Sequence, residues 1–257
     1  MQRVVAILRF VRLPLVWTAL ADVLAGAAVA AGSPAAFARA DLLPLLLVSP
    51  GLYLFGMGLN DLLDRRDDVA SGTDRPLARG ELSPAAALST LAVLLGMVAA
   101  GASFVGEPTL TMIAFTLAAV CLYNGWAKRH TVTSVVFMAA CRAGNVLIGW
   151  SVVAGQWQFW TSPRAGCGWV LLISVCALTA AASLVSALEK RHGMRTVAGL
   201  RPSRVVLIAL LLLPVADAAC VAAAWGASAW APAWLAAVPL CLATAAALRR
   251  GNRRGGS

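Results

Sequence analysis

The chain has 257 residues, 60% hydrophobic and 12% charged, with a mean hydropathy of +0.81. These values exclude an ordinary soluble globular domain and describe a chain that crosses a membrane several times. The formal net charge of +10 suits an anionic partner, but its distribution along the chain excludes nucleic acid and assigns it to membrane topology.

In chain order, eight stretches are apolar for long enough to cross about 30 Å of hydrocarbon: 10–31, 42–59, 84–105, 109–126, 132–154, 167–188, 205–224 and 229–248. The first lacks an A-x-A cleavage site and exceeds a signal-peptide core, so it is expected to be retained. Of the 21 Lys and Arg, 18 fall on one side of these spans, counting Arg12 at the edge of the first, against Arg39 and Arg164 in the opposite loops and Arg142 inside the fifth span. Positive-inside bias then makes both termini and the long loops 61–83, 127–131 and 189–204 cytoplasmic. Trp157, Trp160, Trp225 and Trp230 are expected to mark the outer interface. With 19 Arg against two Lys and abundant Ala, the chain reads as the product of a GC-rich bacterial genome, hence a plasma-membrane protein. The six cysteines lack metal-ligand spacing and are expected to be packing residues rather than disulfides. No linker divides the chain, so residues 1–257 are read as one domain.

The segment Asn60-Asp61-Leu62-Leu63-Asp64-Arg65-Arg66-Asp67-Asp68 ends the second span with four aspartates in eight residues. Carboxylates at a helix C-terminus oppose the macrodipole and repel one another, so a cation is needed to hold them. On a continuous helix Asn60, Asp61, Asp64 and Asp68 share an arc of roughly 100°. Three carboxylates and an amide suit Mg²⁺, which binds through a few carboxylates together with substrate phosphates. Asp67 lies outside the arc and is expected to be solvated. Removing Asp61 or Asp64 should relieve repulsion, leaving stability without metal level or higher.

This N-D-x-x-D-x-x-x-D pattern resembles the first aspartate-rich motif of the UbiA family of intramembrane prenyltransferases. Asp74-Arg75-Pro76-Leu77-Ala78-Arg79-Gly80-Glu81-Leu82-Ser83 is similar to that family's R-P-L-x-x-G-x-(I/L)-S continuation. Tyr123-Asn124-Gly125-Trp126-Ala127-Lys128-Arg129 looks like its Y-(S/N)-x-x-L-K-R. The resemblance implies an all-α bundle, usually of nine spans, around a cavity open to the cytoplasm. It also implies Mg²⁺, a polyprenyl diphosphate donor and an aromatic or other small acceptor. Asn60, Asp61, Asp64 and Asp68 are then the metal residues, and Asp61, Asp64 and Lys128 the catalytic ones. Asn60 again, with Arg75, Arg79, Tyr123, Asn124 and Lys128, is placed on the substrate, while Arg129 reads as an ordinary topogenic charge.

The fifth span carries Arg142 and Asn145 one turn apart. An intramembrane charge points by default into a bundle or cavity. Two readings stay open: Arg142 and Asn145 bind phosphate or acceptor, or Arg142 pairs with Asp22 or Asp217. Asp22 is expected to face the central cavity and Asp217 to pair helices. Pro214 is a weak candidate for the broken helix of a transporter.

The end of the sixth span departs from the family. A second motif of the D-x-x-x-D type is expected there, but the chain reads Glu189-Lys190-Arg191-His192-Gly193. Glu189, Lys190 and Arg191 are taken as substrate-binding, with the two cations screening phosphate in place of a second firmly held Mg²⁺; His192 reads as a solvated loop residue. This altered segment, with Arg142 to Gly149, resembles a divergent subgroup, the EboC-like UbiA proteins. A non-catalytic or transport-related protein of the same fold, binding a lipid diphosphate or a metabolite, is the competing reading.

Overall fold

The computed structural model describes residues 2–156, 159–192, 196–197, 201–226 and 236–254, and these contain helices and no extended sheet. The elements are α1 (Gln2–Phe10), α2 (Val16–Ala31), α3 (Pro34–Arg39), α4 (Leu43–Leu63), α5 (Arg65–Ala70), α6 (Pro84–Ala102) and α7 (Glu107–Gly125). They continue with α8 (Thr131–Ala154), α9 (Ala165–His192), α10 (Pro202–Trp225) and α11 (Ala237–Arg254). Among the described residues seven helical segments are long and apolar enough to span a bilayer, from Leu13–Ala31 to Pro202–Trp225. The eighth expected span is not one of them. Part of 229–248 lies outside the described residues, and α11 begins only at Ala237 and runs into Arg249, Arg250, Arg253 and Arg254.

Helices α2 and α8 form the central pair, with α4, α6 and α7 on one side and α9 and α10 on the other. Glycine sets how closely that pair approaches. A Cβ at Gly149 would overlap the Val23 carbonyl, and one at Gly26 would overlap the Val146 carbonyl. Without a hydrophobic drive between helices in lipid, such backbone contact supplies the packing. Outward faces stay apolar and exposed, as at Val93 and Phe115, which suits contact with acyl chains.

One correction to the sequence reading follows from this packing. Pro214 lies inside α10 without breaking it. Trp225, at the end of α10, donates from Nε1 to the Ala28 carbonyl at 2.9 Å and meets the Phe37 ring at a tilt, centroids 5.6 Å apart. Loop 32–41 carries a helix of its own, α3, capped by Ser33. Trp160 is exposed, while Trp157 and Trp230 lie outside the described residues. The six cysteines are free thiols.

The motif loop is tucked into the bundle end rather than hanging from it. Leu77 and Leu82 are buried in a cluster with Phe10, Val16, Phe55 and Leu91. Thr73 N–H donates to the Asp68 carbonyl at 3.1 Å, closing the loop back onto α5.

Candidate active site

The acidic segment is not one uninterrupted helix. Helix α4 stops at Leu63, Asp64 opens to φ −83°, ψ 0°, and α5 starts at Arg65. Helical hydrogen bonding nonetheless carries on through the junction, from Asp64 N–H to the Asn60 carbonyl at 3.0 Å and from Asp68 N–H to the Asp64 carbonyl at 2.9 Å. Continuity of that ladder keeps Asp61, Asp64 and Asp68 on one side. Asp61 and Asp68 are buried, and Asp67 is exposed.

Three cations from three different elements meet these carboxylates. Arg75 Nη1 lies 3.2 Å from Asp61 Oδ1, 3.8 Å from Asp64 Oδ2 and 2.6 Å from Asp68 Oδ2. Arg12 Nη2 reaches Asp61 Oδ1 at 3.1 Å. Lys128 Nζ donates to Asp64 Oδ1 at 2.5 Å and to Asn60 Oδ1 at 3.3 Å. All three aspartates therefore converge on one nitrogen atom. The burial of Leu77 and Leu82 holds Arg75 there, and the short turn after α7 presents Lys128.

Arg12 was missed in the sequence. It is the one described non-glycine residue with positive φ, 53°, between α1 and the turn Leu13–Leu15. A left-handed backbone at a residue with a Cβ costs about 1–2 kcal/mol and persists where surrounding structure demands it. Here it aims the guanidinium at Asp61. The signal available was an arginine at the head of the first span followed by Leu13-Pro14, which interrupts a helix.

The donor set, three carboxylates and an amide oxygen, fits a hard divalent cation such as Mg²⁺. The three carboxylates converge on Arg75 Nη1, so those oxygens can face one positive centre, while the Asn60 amide oxygen accepts from Lys128. Among the described residues, however, no three His, Cys, Asp or Glu side chains are arranged as a metal site, because basic side chains hold the carboxylates. This pairing also reverses the stability expectation. Asp61 and Asp64 are attracted to cations more than they repel one another, so removing either costs stability.

Other expected site residues lie elsewhere. Arg79 is exposed and pairs with Asp74 and, at 3.5 Å, with Glu81, while Arg9 meets Glu81 at 2.8 Å. The Arg79 guanidinium, by hydrogen bonding, holds the Asp74 carboxyl below the usual carboxylate range. Asn124 is buried in the α4–α7 seam, donating to the carbonyls of Gly56 at 3.3 Å and Val120 at 2.9 Å. Tyr123 is half-buried beside Ser134, at the edge of the cluster. Glu189 is exposed near the end of α9 and takes no part in the ion pairs of the aspartates. The side chains of Lys190, Arg191 and His192, and all of Gly193, lie outside the described residues.

Arg142 pairs through Nη1 with Asp22 Oδ2, donates from Nη2 to Thr18 Oγ1 at 2.8 Å, and lies 5.9 Å from the Tyr53 ring centroid. Asn145 Nδ2 donates to the Ala19 carbonyl at 2.7 Å. Both side chains bind α8 to α2. Asp22 is fully buried between helices and does not open onto a cavity.

Residues 19–256 match the sequence profile of the UbiA prenyltransferase family. The chain is similar to the protoheme IX farnesyltransferase of Stutzerimonas stutzeri (strain A1501), 36% identical over 122 residues, 44% of this chain and 40% of that protein. The protein of the same description from Legionella pneumophila (strain Paris) is 32% identical over 146 residues, 46% of this chain and 49% of that protein. The matches thus span less than half the length of these two relatives. Among solved structures, one of a study on digeranylgeranylglyceryl phosphate synthase superposes with TM-score 0.60 at 16% identity, covering 94% of this chain and 88% of that one. A UbiA homologue from Archaeoglobus fulgidus bound to GPP and Mg²⁺ gives 0.55 at 20% identity, covering 91% and 85%.

Proposed function

The chain belongs to the UbiA prenyltransferase family, and from that premise we propose that it is an integral membrane prenyltransferase. It moves a prenyl group from an allylic polyprenyl diphosphate to an aromatic or other small acceptor. The observation that carries this reading is the convergence of Arg12, Arg75 and Lys128 on Asp61, Asp64 and Asp68. Solvated topogenic charge has no reason to bury two carboxylates and strain one arginine.

Asn60, Asp61, Asp64 and Asp68 would hold Mg²⁺, which neutralises diphosphate charge as the allylic C–O bond breaks. Arg12, Arg75 and Lys128, gathered at the same carboxylates, would take up the negative charge that develops on the leaving group. The apolar bundle around them excludes water from the allylic cation until the acceptor attacks. The acceptor loses a proton, and diphosphate leaves. Residues 1–257 act as one membrane domain in the bacterial plasma membrane, with loop 61–83 and both termini cytoplasmic; the 18-to-2 distribution of basic residues supports this orientation.

Relatives described as protoheme IX farnesyltransferases make farnesyl diphosphate and a porphyrin the first substrates to test. The EboC-like reading rests on Arg142 to Gly149 together with the altered end of α9, where Glu189 stands alone. That same feature favours the competing reading, a non-catalytic protein that binds a lipid diphosphate. Purified protein in lipid nanodiscs, given farnesyl or geranylgeranyl diphosphate, decides between them. Pyrophosphate release that needs Mg²⁺ and is lost in Asp61→Asn establishes the enzyme. Mg²⁺-dependent diphosphate binding without release or transfer establishes the binding protein.

A further inference from the structure

A second polar cluster lies inside the membrane-spanning core, apart from the aspartate-rich site. Asp22 on α2, Arg142 on α8 and Asp217 on α10 are all buried, and the two aspartates have no exposed surface. Asp22 Oδ2 is satisfied by Arg142. Among the described residues, Asp22 Oδ1 and both Asp217 oxygens have no hydrogen-bond donor. Helix α10 packs against α2 and brings the Asp217 carboxyl within interaction range of Asp22, so two sets of acceptors share one buried space. With both acids ionised, the cluster carries two negative charges against one positive. An uncompensated charge in a dry interior is too costly to keep, and a buried carboxylate without donors adds to that cost.

One proton resolves both defects. It brings the cluster to neutrality, and it turns one Asp217 oxygen into a donor aimed at Asp22 Oδ1. Asp22 is the worse host, because Arg142 donates to it and favours its charged form. We propose that the Asp22–Asp217 pair binds one proton at neutral pH, carried on Asp217, giving a neutral Arg142–Asp22–Asp217 triad that braces α10 against α2 and α8. Thr18 completes it, donating from Oγ1 to the Leu15 carbonyl at 2.8 Å while accepting from Arg142. The other titratable groups around the triad are Tyr53 on α4 and the thiols of Cys141, Cys176, Cys220 and Cys241. None of these is a carboxyl that could be mistaken for the proton carrier.

The proposal is independent of prenyl transfer, and its test needs no activity. Infrared spectra of the full chain in nanodiscs at neutral pH should show the carbonyl stretch of a buried carboxylic acid, shifted in D₂O. Asp217→Asn keeps a neutral donor and should abolish that band while unfolding within about 2 °C of the parent. Asp22→Asn strips Arg142 of its counter-ion and should unfold at least about 5 °C lower. No acid band in the parent, or a band that survives Asp217→Asn, overturns the proposal. So does an Asp217→Asn protein as unstable as Asp22→Asn. Stabilisation of the parent by NaCl but not by choline chloride, absent in Asp217→Asn, would assign the site to a sodium ion and equally overturn it.

Discussion

Asp61 shows how a single side chain serves stability and chemistry at once. It is 3% exposed and accepts from two guanidiniums, so Asp61→Ala leaves Arg12 and Arg75 short of a partner. Both arginines retain access to solvent, which limits the cost to about 1–3 kcal/mol in the absence of metal, read as a lower Tm. Arg75→Ala is distinguished by its response to metal. It removes the cation on which three carboxylates converge, so the protein should be less stable without metal and gain more Tm from Mg²⁺ than the parent does, by mass action on a site with one competitor fewer. Diphosphate binding should weaken in the same variant. Equal Mg²⁺ shifts in parent and variant would show that the guanidinium does not occupy the metal position. At the exposed Arg79–Asp74 pair, solvent screens the attraction, and Arg79→Ala should leave Tm unchanged. What little stability Asp74 contributes is present above its ordinary carboxylate pKa of about 4 and fades as pH falls through its lowered value.

Among elements, the loop between α5 and α6 matters most because its aliphatic anchors position a charge. Leu77 and Leu82 are 2% and 4% exposed, and truncating either to Ala should cost about 2–4 kcal/mol through the cavity it leaves. The distinguishing outcome is functional. Leu77→Ala should raise the Kd for a non-hydrolysable prenyl diphosphate even at temperatures where the protein is fully folded, because Arg75 is no longer held over the aspartates. An unchanged Kd would mean that the loop packs without positioning the site. The α2–α8 seam is a backbone contact, so Gly149→Leu should prevent native packing, with loss of monodisperse protein in detergent, whereas the exposed Gly96 tolerates the same change.

At the scale of the whole molecule, the site lies where α4, α5, α7 and the N-terminal segment come together at one end of the bundle, and polar anchors run inward from it. Tyr53 is seven residues before Asn60 on α4, about 10 Å deeper along the helix, and its ring faces Arg142. The apolar outer faces and the clustering of basic residues at the site's end suit the proposed lipid-tailed diphosphate. Reporter fusions should place loop 61–83 in the cytoplasm, and a periplasmic reporter signal there would overturn that orientation. At α9, Glu189→Gln should reduce turnover less than Asp61→Asn or Asp64→Asn, since Glu189 takes no part in the ion pairs of the cluster. An equal loss in all three would mean that α9 closes onto the site and supplies a second metal position.

Apolar run length determined seven of the spans, because crossing hydrocarbon requires about 20 apolar residues whatever the neighbours are. Local spacing determined that Asn60, Asp61, Asp64 and Asp68 share a side, because helical hydrogen bonding is a short-range property of the chain. Resemblance to the family's motifs nominated Arg75 and Lys128, through segments that are short and contiguous. Which cation meets which carboxylate was decided only by tertiary structure: Arg12 and Asp61 are 49 positions apart, Lys128 and Asp64 are 64 apart. The same holds for Arg142, whose two candidate partners were equally intramembrane in sequence, and whose choice of Asp22 depends on the glycine contacts that bring α2 against α8. Asn124 sits in a motif yet binds the α4 backbone, because burial left its amide no solvent to face and the Gly56 carbonyl was within reach. Sequence fixes what a residue can do over a few turns of helix; only the packing of helices distant in the chain decides which charges share one low-dielectric space, and there the energies are large enough to choose partners.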